Sequence, residues 1–264
     1  MGESEIRPNE SGGWSGVDSP LLRRIGAGIV SAVANAIPVP WVGGHLASRC
    51  DQFVVETALK GTDSKLATKQ FQQLYAHDTG WRFSSIPRRI VKLPLLLLSY
   101  PIRSLLATAK MIKEVPLAVI RSVLLGRTLD RALANNFLLN PPEMSGIEFS
   151  RRVGCMRTSF DQAFSSIHWD FAKAAIADAM SQASWWRATV SRLLARYRDG
   201  ESALESEVRN DEGLRNEASK IRDAIEQPGV LQLFDSFDEQ FDLHLSALVG
   251  EWASCVKASK TKDG

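Results

Sequence analysis

The chain has 264 residues, 44% of them hydrophobic and 23% charged, which is enough for one large domain or two small ones and ordinary for a globular protein. That balance excludes a disordered chain, a collagen-like one and a carrier apolar throughout its length. The formal net charge of +2 conceals an asymmetry. Residues 81–131 hold ten bases against Glu114 and Asp130, whereas residues 132–264 hold fifteen bases against twenty acids. Such opposed local fields bear on partners rather than on fold.

Residues 1–18 are polar and rich in Gly and Ser, without the basic-then-apolar pattern of a secretory signal, and are expected to form a flexible tail. Ser19-Pro20 then opens a helix, because a proline in the first turn loses no donor. It is expected to reach about residue 37, where Pro38 and Pro40 break it. A second helix follows over 42–59, ended by Gly61, and a third over 65–77, capped by Asp63. From residue 85 to 125 the chain is apolar with isolated bases and is interrupted by Pro87, Pro94, Pro101 and Pro116. Short helices meeting at kinks are expected there, with Pro101 and Pro116 in first turns. Asn140-Pro141-Pro142 marks a boundary. Helices over 145–165, 167–198, 201–226 and 230–257 come after it, separated by Asp199-Gly200 and Pro228-Gly229.

No stretch alternates like a strand, and the internal Asp199-Gly200 follows a charged helix rather than joining two strands. The expected fold is therefore an all-α multi-helix bundle with an N-terminal apolar hairpin and proline-interrupted central helices. Its expected organisation is the tail 1–18, an apolar and basic region 19–140, and an acidic amphipathic bundle 141–264.

The informative feature is a pair of apolar blocks flanked by bases. Residues 25–48 carry no formal charge, which is long enough for a membrane span. Pro38, Pro40, Gly43 and Gly44 argue against a straight one, because broken backbone in lipid leaves polar groups unpaired. A hairpin dipping into the interface, with Trp41 at its turn, is the alternative reading; soluble core is the other. The small residues Gly26, Gly28, Ser31 and Ala32 would admit a closely packed helix. The second block runs from Leu93 to Leu125. Its bases Lys92, Arg103, Lys110 and Arg121 are spaced 11, 7 and 11 apart, returning to within roughly 20° of one helical direction. A cationic edge on an apolar helix suits a membrane interface. With Arg88, Arg89 and Lys113, these residues form the expected membrane-contacting set.

Signals for catalysis are weak. Gly26-Ala27-Gly28-Ile29-Val30-Ser31 imitates a dinucleotide fingerprint but follows no strand. His45, His77, His168 and His244 sit in no metal-binding spacing, Cys50, Cys155 and Cys255 form no C-x-x-C, and there is no G-x-S-x-G. No catalytic, metal or cofactor site is expected. A site assembled from His168, Asp170 and Asp161 is the enzymatic alternative. Nucleic acid ranks third, since stacking aromatics are not interleaved with the bases. In the last helix Asp235, Asp238, Glu239 and Asp242 form one acidic stripe, and Phe234, Phe237, Phe241, Leu245, Val249 and Trp252 occupy another face. That stripe is a candidate contact for a protein partner or a second copy, for a cation, or for the chain's own basic segment. The leading expectation is a non-enzymatic helical protein, peripheral or monotopic on the cytoplasmic face of an anionic membrane. A soluble helical scaffold is the alternative.

Overall fold

The computed structural model describes residues 19–35, 42–60, 66–75, 100–138, 144–180 and 212–250; within them, the side chains of 33–35, 42–46, 100–113, 212 and 215 lie outside the description. Eight α-helices and no strand occur among the described residues. They are α1 (Pro20–Asn35), α2 (Val42–Lys60), α3 (Gln72–Tyr75, entered through a 3-10 turn over Thr68–Phe71), α4 (Tyr100–Ala134), α5 (Gly146–Ser166), α6 (Asp170–Ala179), α7 (Glu212–Ile225) and α8 (Pro228–Leu248). The fold is an all-α multi-helix bundle.

The uncharged character of the first block has a structural cause. Helix α1 packs against α2, α4 and α7, so over 24–30 it has no face left for water. Ile25, Ala27, Ile29 and Val30 are fully enclosed, and Arg24 is buried with them. A helix apolar on all sides belongs either to a core or to lipid; for 25–32 the surrounding groups are the protein's own helices. Gly28 lies directly on α4, where an added Cβ would stand 2.6 Å from the Val119 Cα. Gly28, one of the small residues of α1, thus serves close helix packing. Trp41 and the prolines at 38 and 40 lie outside the described residues.

The central segment departs from expectation. Short helices kinked at prolines were expected, but α4 is one helix of 35 residues with Pro116 inside it. Pro101 does occupy its first turn; Pro87 and Pro94 lie outside the described residues. A proline in a helix interior costs about 3 kcal/mol, having no donor for the carbonyl four residues back. Around Pro116 the side chains of Val115, Val119, Ile120, Val123 and Leu124 are all buried, and each fully buried aliphatic residue contributes about 1.5–3 kcal/mol. Packing therefore outweighs local propensity.

The end of α4 is shaped by a residue with no expected role. Asn136 adopts φ 54°, the Phe137 N–H reaches back to the Ala132 carbonyl at 3.0 Å, and the Asn136 N–H reaches the Leu133 carbonyl at 3.1 Å. This is a Schellman cap with asparagine in the left-handed position. Asn136→Gly, free of the Cβ penalty, is expected to raise stability by about 0.5–1 kcal/mol, and Asn136→Ala to lower it by about 1 kcal/mol. Urea midpoints of the two variants, moving in opposite directions from the parent, check this.

Other boundaries shifted for local reasons. The third helix starts later than expected because the Gln70 side chain accepts the Ala67 N–H at 3.0 Å and closes a 3-10 turn first. Pro228-Gly229 does not separate helices but opens α8, with Pro228 in its first turn. Helix α6 ends at Ala179 and α8 at Leu248; the remainder of their expected ranges, 181–198 and 251–257, lies outside the described residues. Ser145 caps α5, its side chain accepting the Glu148 N–H at 3.2 Å. The helices of 19–140 and of 141–264 contribute to one apolar core. Phe160, Phe164, Trp169, Phe234, Phe237 and Phe241 form an aromatic cluster in it, and the Trp169 indole N–H donates to the Phe164 carbonyl at 2.9 Å. Leu214, Ala218, Ile221 and Ile225, the thin apolar stripe of α7, are buried in it too.

Candidate functional site

Arg127 and Arg131 stand one turn apart on α4, and Asp235, Asp238 and Asp242 recur at i, i+3 and i+7 on α8. Both spacings keep their residues on one helical face, and the fold brings the two faces together. Arg127 donates through Nε to Asp238 at 2.8 Å and through Nη2 to Asp235 at 2.8 Å. Arg131 donates through Nη2 to Asp242 at 2.7 Å, and its Nη1 lies 3.0 Å from Asp238. Residue numbers rise together on both helices, so α4 and α8 run parallel along this ladder. Asp238 is its central rung and its least exposed member. Burial pushes the Asp238 carboxyl upward, while the Arg131 and Arg127 guanidinia pull it down and Asp242 adds a further upward push. Glu239, fourth member of the stripe, is exposed and takes no rung.

Two further aspartates answer arginines of the basic segment or the first helix. Arg121 donates to Asp161 at 2.9 Å and lies over the rings of Phe160 and Phe164, 5.2 and 5.6 Å from their centroids. Arg157 holds the same carboxylate at 2.7 Å and also donates to the Leu74 carbonyl. Arg24 pairs with Asp130 at 2.7 Å, its stem lying where a side chain at Gly126 would stand. Ser122 donates to the Arg24 carbonyl at 2.8 Å.

Removing Arg131 takes a guanidinium from both Asp238 and Asp242. Breaking a fully buried pair from one side costs several kcal/mol; with the Arg131 side chain 24% exposed, Arg131→Ala is expected to cost about 1–3 kcal/mol. A double-mutant cycle with Asp238→Asn checks the assignment: the two losses should fall short of additive by about 0.5 kcal/mol or more. Strict additivity would remove the ladder as an energetic unit.

The ladder changes the meaning of the basic segment. Arg121, Arg127 and Arg131 are engaged by aspartates of the C-terminal half, whereas Arg82, Arg88, Arg89, Lys92, Arg103, Lys110 and Lys113, the other bases of the segment, have no described side chain. Of the expected membrane-contacting residues, Arg121 alone has a described side chain, which pairs with Asp161 and is 27% exposed. Arg103, Lys110 and Lys113 lie on the first half of α4, with side chains outside the description; Trp41, Arg88, Arg89 and Lys92 lie outside the described residues. Asp235, Asp238 and Asp242, expected at a partner contact, find their cations inside the chain. The matched spacing of bases on α4 and acids on α8 was the signal for this, and only the fold selects it from the other uses of an acidic stripe.

Both aspartates of the alternative catalytic set are held in ion pairs. Asp161 is held by Arg121 and Arg157, and Asp170 pairs with Lys173 at 2.6 Å, which holds its carboxyl below the usual range. Ser166 donates to the Ala163 carbonyl at 2.8 Å and His168 is exposed. Glu148 is lowered to about 2 by the guanidinia of Arg151 and Arg152. Tyr75 is raised, first by burial and then by Glu56. Burial raises the Cys50 thiol well above its ordinary value, so it is no ready nucleophile. Among the described residues no group of three or more His, Cys, Asp or Glu side chains is placed to hold a metal ion.

Fold and site together define an all-α bundle laced by arginine–aspartate pairs. Comparison of the chain with protein families, with curated proteins and with solved structures finds no match.

Proposed function

We propose that this is a non-enzymatic α-helical protein that associates peripherally with an anionic membrane, on its cytoplasmic face, through the apolar and basic segment 86–113. The remaining helices form the body that carries this segment. One observation supports the reading above the others. Gly28 packs at Val119 and Arg24 at Gly126, so α1 runs antiparallel to α4. Continued along both helices, this register puts Asn35 level with about residue 112 of α4. The first turns of α4 therefore run past the end of α1, and they carry Leu105, Leu106 and Met111 together with Arg103 and Lys110. Arg103 and Lys110 differ by two turns and share one helical direction to within roughly 20°. The reading rests on 86–113 rather than on 25–48, because the described part of that block at 25–32 is enclosed by α2, α4 and α7. Among the described residues no helix is long and apolar enough to cross a membrane; the mode proposed is surface association.

Each base beside an anionic surface contributes about 1 kcal/mol. The triple change Arg103→Gln, Lys110→Gln, Lys113→Gln is therefore expected to weaken binding roughly a hundredfold. Flotation of the full chain with phosphatidylserine-containing vesicles at low salt tests the reading. It predicts co-flotation that fades as salt rises, fades in the triple variant and is absent with neutral vesicles. A chain that stays at the bottom of the gradient with anionic vesicles at low salt overturns it. The second reading, a soluble helical scaffold, is favoured by the burial of Val115, Val119, Ile120 and 123–125 as well as the apolar side chains of 25–32, and it predicts that negative result.

A further inference from the structure

We draw no further inference here: the strongest candidate, the surface patch where the exposed Phe171 of α6 lies against Gly229 near the exposed Leu231 of α8, carries nothing because nothing in the structure shows what covers it.

Discussion

Phe237→Ala is expected to cost about 3–5 kcal/mol, the range for truncating a phenylalanine in a close-packed core. The ring is fully enclosed. It meets Phe160 edge-on at 5.3 Å, Phe241 in a stacked arrangement at 6.2 Å and Trp169 at 6.4 Å. Such ring pairs add about 0.5–1.5 kcal/mol each beyond the area they bury. Truncation removes those pairs from three helices or corners at once and leaves a cavity that neighbours on α5 and α8 can fill only in part. Against a total stability of about 5–15 kcal/mol for a typical domain, this loss is large. Leu243→Ala, on the same helix but 63% exposed, is the matched control and should shift stability by less than about 0.5 kcal/mol. Urea unfolding followed by circular dichroism measures both. A Phe237→Ala cost under about 1 kcal/mol would contradict the packing described for α5, α6 and α8.

The second large effect is expected at Gly28. A Cβ there would stand 2.6 Å from the Val119 Cα and 3.0 Å from the Ala118 carbonyl oxygen. Both obstacles are backbone, so no rotamer change relieves the contact and the helices must separate. Alanine at an ordinary helix position would gain about 1 kcal/mol over glycine. Here that gain meets an overpacking cost of about 1–3 kcal/mol, and Gly28→Ala should come out destabilising by about 1 kcal/mol. Gly28→Leu, with three more carbons at the same crossing, should lose several kcal/mol, of the order of the largest core substitutions. The graded series Gly, Ala, Leu is the measurement. A Gly28→Ala variant with a raised midpoint would mean that α1 and α4 do not cross as closely as described.

These two sites show how unevenly the fold can be read from the chain. Fold class follows from local rules: helical spacing of apolar residues, prolines at starts and the lack of strand alternation led to an all-α bundle, which the structure has. The limits of α2 were legible within a residue, because Val42 follows a proline-broken stretch and Gly61 follows its last residue. Pro116 was misread as the start of a new helix. Its local cost is real, but it is smaller than the combined burial of its neighbours on α4, and burial is not a local quantity. Asn136 gave no advance sign either, since a left-handed cap is chosen by where the helix must turn.

The functional candidates divide along the same line. The acidic stripe on α8 and the bases of α4 were each visible as spacings, and spacing decides which side chains share a face of one helix. It cannot decide which face meets which, so Asp235, Asp238 and Asp242 stood open to a partner, a cation or the chain itself until Arg127 and Arg131 of α4 were seen to reach across to α8. Likewise an uncharged stretch such as 25–48 states only that water is unwelcome around it; whether lipid or protein replaces the water depends on what the remaining helices enclose. For 25–32 the tertiary structure supplied protein, through α2, α4 and α7. What the amino-acid order determined by itself is the helical character, the amphipathic faces and the charge asymmetry, because these arise within a few turns. The pairing of those faces, and with it the neutralisation of Arg121, Arg127 and Arg131, was decided by packing between residues about 40 to 111 positions apart.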